Sequence, residues 1–151
     1  MKLDLLNHID HTVPKVLERF DFPDLYAAKI ISVDKGVEEL LWNNLTSRKI
    51  IHTYSLNTNA LSDFESFEFS NNYENVFKRL KKLGQENERI LLIWDSGFNP
   101  ATTDLNTLTS DWEEFYQPSS DDLYIVDENL NWIVYISHFE VFMFGKIITT
   151  I

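Results

Sequence analysis

Four histidines and no cysteine bound the chemistry open to this 151-residue chain. Without thiols there is no disulfide framework, no thiolate metal site and no thiol nucleophile. His8 and His11 stand three residues apart, close enough to share a helical face near Asp4 or Asp10. A metal site needs at least three converging ligands, so capping or surface histidines account for the pair. His138, with Ser137 before it and Glu140 two residues on, invites an acid–base reading, although the same residues suit a hairpin turn. Asp95 closes an apolar run, and ligands often gather at strand ends. With Asp104, Asp121 and Asp122 it offers the oxygens that Mg²⁺ or Ca²⁺ takes, but the spacing matches no cation loop. No glycine-rich phosphate loop, G-x-S-x-G elbow or H-E-x-x-H helix occurs. Four glycines in all exclude a dinucleotide fingerprint. The expectation is a non-enzyme, with no catalytic residues, metal or cofactor.

Charge placement says more. The net charge is −11, yet residues 1–89 hold twelve Lys and Arg against fourteen acids, a net of only −2. Residues 90–145 hold ten acids and no Lys or Arg, a net of −10. So one-sided a field disfavours phosphate backbones and anionic membranes and attracts basic partners. Within it Trp112, Tyr116 and Tyr124 are interleaved with Asp111, Glu113, Glu114, Asp121 and Asp122. Aromatic rings supply anchoring area at an interface, and carboxylates speed encounter and reject wrong partners. Asp111, Glu113, Glu114, Asp121 and Asp122 are therefore the candidate steering residues, with Trp112 and Tyr116 the candidate anchors. The competing arrangement puts the aromatics in the core and the acids in solvent.

The elements that must position these residues follow from periodicity. Asp121 to Ile148 contains three apolar runs, Leu123–Val126, Trp132–Ile136 and Val141–Ile148, separated by Asp127-Glu128-Asn129 and Ser137-His138. β-Branched and aromatic runs broken by turn formers predict an antiparallel meander. In its middle strand Trp132, Val134 and Ile136 share one face, and Ile133 and Tyr135 the other. Both faces are apolar, so the strand belongs at the centre of the sheet. The continuous run Arg89–Trp94 predicts a second buried strand.

Upstream, Val13, Val16, Leu17 and Phe20 predict a helix within residues 1–20, capped by Thr12 with Pro14 in its first turn. Ala27–Val33 predicts a strand. Asp34 caps a helix burying Val37, Leu40, Leu41 and Leu45. Strands are expected over Lys49–Leu56 and around Phe64, Phe67 and Phe69. Ser70 or Asn71 opens a helix with Tyr73, Val76, Phe77, Leu80 and Leu83 on its apolar face, and Gly84 suits a left-handed cap. Asp95–Thr107 reads as a loop. Ser110-Asp-Trp-Glu113 matches a capping box for a helix with Trp112, Phe115 and Tyr116 on its apolar side, ended by Pro118. The fold class expected is α+β in a single domain over residues 1–151, a mixed or antiparallel sheet flanked by about four helices. Acids at Asp4 and Asp10 interrupt any leader-like apolar run, and no run approaches a membrane span. The expectation is a soluble cytoplasmic protein.

Residues 110–145, SDWEEFYQPSSDDLYIVDENLNWIVYISHFEVFMFG, resemble the C-terminal portion of small bacterial immunity-like proteins of polymorphic and contact-dependent toxin systems. The resemblance rests on the Trp-containing acidic helix, Ser120-Asp121-Asp122 before a strand, Trp132 opening the next, and His138, Glu140 and Gly145 around the last. It covers about a quarter of the chain. Phe139 separates His138 from Glu140, where the family pattern has a tighter pair. The resemblance implies an immunity protein that neutralises a basic toxin. Two alternatives stand beside it: an adaptor or sensor recognising a ligand in the 95–107 loop, and a metal-assisted hydrolase using Asp95, Asp121, Asp122 and His138. A basic protein is the expected partner, with no nucleic acid or membrane, and the protein is expected as a monomer or homodimer.

Overall fold

The three most apolar runs form the middle of one antiparallel sheet, and everything else is packed onto them. In the computed structural model, which describes residues 2–70, 72–95 and 97–148, the elements run β1 (Ile31–Ser32), α1 (Lys35–Ser47), β2 (Ile51–His52), β3 (Ser55–Leu56), β4 (Leu61–Glu68), α2 (Tyr73–Leu80) and β5 (Arg89–Trp94). They continue with β6 (Ala101–Asp104), α3 (Leu105–Ser110), α4 (Trp112–Phe115), β7 (Leu123–Asp127), β8 (Trp132–Ile136) and β9 (Val141–Ile147). Seven strands lie in the order β1-β6-β5-β7-β8-β9-β4, all neighbours antiparallel, and β2 and β3 form a separate hairpin. The class is α+β with the expected meander β7-β8-β9 at its heart.

Alternation along the central strands divides the interior in two. Ile90, Leu92 and Trp94 of β5, Leu123 and Ile125 of β7, and Trp132, Val134 and Ile136 of β8 face one core. Leu91, Ile93, Tyr124, Val126, Ile133 and Tyr135 face the other. The first core is closed by α2, α3, α4 and the segment carrying Val16, Leu17 and Phe20. The second is closed by Leu3, Leu5 and α1 through Val37, Leu41 and Leu45. Asp34 caps α1 as its sequence position predicts, its carboxylate accepting from the Gly36 N–H at 2.8 Å.

Several expectations are corrected. Residues 1–20 form short 3₁₀ turns, Leu5–His8 and Lys15–Arg19, and Thr12 caps neither. Pro14 stands extended (ψ 128) just outside the second, and the residue before a proline is steered away from helix, so Val13 is left exposed. Of Ala27–Val33 only Ile31–Ser32 pairs as a strand. Leu40 is half exposed, because Val37, Leu41 and Leu45 form an i, i+4, i+8 row on the buried side of α1 and Leu40 stands outside it. Lys49–Leu56 is a tight hairpin rather than one strand, with left-handed Tyr54 in its turn. Helix α2 ends at Leu80 with a right-handed Lys81, and Gly84 is not left-handed. Its N-cap is Asn72, not Ser70, and Asn71 lies outside the described residues. The stretch Asp95–Thr107 is not a loop throughout. Thr102 and Thr103 are buried in β6, and Asp104 starts α3 by accepting from the Thr107 N–H at 2.7 Å. Ser110 ends that helix instead of capping the next, so no capping box forms.

The expected break Asp127-Glu128-Asn129 is a turn organised by a buried carboxylate. Asp127 accepts from the Asn131 and Trp132 N–H groups at 2.7 and 3.0 Å, with Leu130 left-handed between. Glu128 ties the start of the chain to this turn: its carbonyl accepts from the Leu3 N–H and its carboxylate from the Leu5 N–H. At the far edge β4 crosses β9 close to Gly145, where a Cβ would lie 2.6 Å from Leu61 Cδ1 and 2.8 Å from Leu61 Cβ. Gly145→Ala should therefore cost about 1–3 kcal/mol by overpacking. Urea unfolding of this variant, Leu61→Ala and the double variant checks it. The double variant should be less destabilised than the sum of the singles.

Candidate functional site

Helix α2 and the α3–α4 corner both pack on the first core, and their outer sides leave a groove of about 460 Å³ between them. Glu74 lines it from α2, and Asp111, Glu113 and Glu114 line it from the α3–α4 side; the Tyr73, Phe77 and Trp112 rings complete the walls. Among the described residues no Lys or Arg lines this groove. Glu74 shares an exposed i,i+4 pair with Lys78 at 3.6 Å, a contact of the kind that contributes little. Among the described residues Asp111, Glu113 and Glu114 take part in no ion pair. Beyond Asp111 the surface continues through Tyr26, whose pKa is raised by its hydroxyl contact with the Asp111 carboxylate, to exposed Leu25 and to Lys29.

The structure separates the seven candidate residues. Asp111, Glu113 and Glu114 come together at the groove. Trp112 and Tyr116 are not surface anchors: they are 5% and 2% exposed, stacked on one another at 6.3 Å within the first core. The reason is geometric. A four-residue helix lying on a sheet turns one side inward, and Trp112, Phe115 and Tyr116 occupy that side. The Tyr116 hydroxyl donates to the Ser137 carbonyl at 2.7 Å, and burial drives its pKa well above the ordinary tyrosine value.

Asp121 is also withdrawn from the surface. It is 1% exposed, holds Arg19 by two contacts of 2.6 and 3.1 Å and accepts from the Gln117 N–H at 2.8 Å. The Arg19 guanidinium lies in turn 4.6 Å over the Phe98 ring, itself against Trp94. Asp121 is thus neutralised by a cation from the first half of the chain. Bidentate pairing of this kind fixes geometry as well as charge.

Asp122 sits at the end of the sheet and organises a second cluster. Its Oδ1 accepts from the Tyr135 hydroxyl at 2.7 Å and from the His138 N–H at 3.0 Å. His138 Nδ1 lies 2.9 and 3.0 Å from the two carboxylate oxygens. Burial opposes ionisation of Asp122, but the bonds from His138 and Tyr135 together hold its pKa below the usual carboxylate value. On the same face burial pushes the Tyr124 hydroxyl up to about 12 and that of Tyr135 further still. The Asp122 contact fixes the imidazole, in the way a carboxylate partner orients a ring nitrogen. Two residues that the sequence reading left unassigned crown the cluster: Phe139 in the β8–β9 turn and Tyr54 in the β2–β3 turn, both exposed and both in ring contact with His138.

The metal-assisted reading finds no support in these positions. Asp121 is paired with Arg19 and Asp122 with His138, and among the described residues no three His, Cys, Asp or Glu are placed to hold a metal ion. Within the 95–107 stretch, residues 101–107 are strand and helix, and Phe98, in the part before them, packs against the first core. Nor is any helix among the described residues long and apolar enough to cross a membrane. Comparison with protein-family models and with curated proteins gives no match.

Asp121→Asn should destabilise the fold by about 3 kcal/mol, at the lower end for a broken buried pair because Arg19 still reaches water; chemical denaturation measures it. The lowered pKa of Asp122 gives stability that is present above the unfolded-state value, near about 4, and lost as pH falls through the folded one. Urea titrations from neutral to acid pH should therefore show the stability gap between the parent protein and Asp122→Asn shrinking as the pH drops below that value.

Proposed function

We propose that this chain is a non-enzymatic binding protein that holds a basic protein partner against its acidic surface, as an immunity protein neutralising a basic toxin would. The observation that carries the reading is the groove between α2 and the α3–α4 corner. Asp111, Glu113 and Glu114 crowd one wall without ion pairs among the described residues, and no Lys or Arg lines the site. Like charges held together destabilise a fold unless something else is gained. A groove of that sign concentrates field lines and accelerates encounter with cationic surfaces. The likeness of residues 110–145 to immunity-like proteins points the same way. Steering falls to Asp111, Glu113 and Glu114, while Asp121, Asp122, Trp112 and Tyr116 hold the scaffold that presents them.

The test begins with capture of the product of the adjacent gene by the purified protein over a series of salt concentrations. Binding should be strongest at low salt and weaken steadily as salt is added. The variant Asp111→Lys/Glu113→Lys/Glu114→Lys should slow association at least about tenfold at low ionic strength, with a smaller effect on dissociation. Failure to bind any neighbouring protein at low salt, or an unchanged association rate in the triple variant, would overturn the proposal.

A further inference from the structure

We infer that the tip of the β8–β9 hairpin is the anchoring part of this interface, and that Phe139 and Tyr54, packed around His138, form an aromatic ledge for arginine side chains of the basic partner. The inference rests on the proposed function and assigns its second element, the place where the partner is gripped after it has been steered. Phe139 is 66% and Tyr54 53% exposed, although each makes ring contacts: Tyr54 lies 5.3 Å from His138 and 6.3 Å from Phe139, and His138 lies 3.9 Å from Phe139. Exposed, pre-packed rings of this kind are what interface hot spots are made of. The ledge is rigid from beneath, because Asp122 fixes both the ring and the backbone N–H of His138.

Tyr54 (φ 56) and Glu140 (φ 61) are left-handed in the two turns that carry these rings, as Leu130 is in the β7–β8 turn. The ledge also continues into the groove. Glu140, which follows Phe139, accepts from the Tyr73 hydroxyl at 2.6 Å, and Tyr73 lines the acidic groove.

Charge decides the occupant. Carboxylates lie beside the ledge: Asp122 beneath His138, Glu140 next to Phe139, and Asp95, whose N–H donates to the Asp122 carbonyl at 3.0 Å. Residues 90–145 bring no Lys or Arg to them. A guanidinium is flat and weakly hydrated, stacks on aromatic faces and meets carboxylates with its edge, whereas an ammonium is a strongly hydrated point charge. Rings framed by carboxylates therefore select arginine over lysine.

The experiment compares the binding of labelled nona-arginine and nona-lysine peptides to the full chain at low salt. Nona-arginine should bind more tightly. Phe139→Ala and Tyr54→Ala should each weaken it about three- to tenfold, the scale of one lost cation–π contact, while changing nona-lysine less than about twofold. Phe139→Tyr, which keeps the ring, should leave both unchanged, and Glu113→Lys/Glu114→Lys should weaken both peptides. If the alanine variants bind nona-arginine as the parent does while the charge reversal weakens it, the ledge is overturned and the acidic surface stands. Equal losses for the two peptides overturn the arginine preference, and absence of binding by either overturns both the ledge and the reading it rests on.

Discussion

The middle of the sheet has no side that tolerates water, and that constraint arranges the rest of the molecule. From Ile90 to Trp94, Leu123 to Asp127 and Trp132 to Ile136 every residue is buried. Each large apolar side chain moved out of water contributes roughly 1.5–3 kcal/mol, a gain available only if both faces are roofed. Helix α1 and the first residues roof one face; α2, α3, α4 and the Lys15–Arg19 turn roof the other. Besides its β4 edge, a sheet covered twice offers a partner the outer sides of its helices and the loops at its ends. The acidic groove lies in the first of these places and the aromatic ledge in the second.

The surplus of carboxylates in residues 90–145 is sorted rather than spread. Asp121 faces Arg19, Asp122 collects donors from Tyr135 and His138, Asp127 holds the β7–β8 turn and Asp104 caps α3. These groups satisfy backbone or side-chain donors that burial would otherwise leave unpaired, a loss costing about 1–3 kcal/mol each. Among the described residues Asp111, Glu113 and Glu114 hold no such post beyond the contact of Asp111 with Tyr26. Acids with a structural task and acids without one thus lie within a dozen residues of each other, and only the folded arrangement tells them apart.

That distinction marks how much was legible in the sequence. The meander, the faces of β8, the buried β5 and the Asp34 cap all follow from patterns spanning a few residues, and local physics decides them. The N-terminal stripe misled because the turn Lys15–Arg19 stops at an extended Phe20, while tertiary packing still buries Val16, Leu17 and Phe20. Strand β6 was hidden by its threonines, which are polar in composition yet buried in place. At the site, Asp111, Glu113 and Glu114 were legible as charge. Trp112 and Tyr116 were legible in two ways, as the apolar side of a helix or as anchors among acids, and packing against the sheet decides for the first. Tyr54 and Phe139 carry a weak signal of their own, an aromatic in a turn, and their meeting around His138 depends on two hairpins far apart in the chain.

Several ties across the molecule join distant parts of the sequence. Leu5 is bound to Glu128, Arg19 to Asp121, and β4 lies against β9 from Leu61 opposite Ile147 to Glu68 opposite Val141. Such a topology closes its largest loops before the contacts that reward closure exist, which makes folding slow relative to helical proteins of this size. Until β9 has been synthesised, β4 has no neighbour and Arg89–Trp94 has only part of its cover. The nascent chain therefore passes through a period in which its most adhesive segment is open to other chains. Its acidic charge serves the protein then as well, by keeping unfinished copies apart.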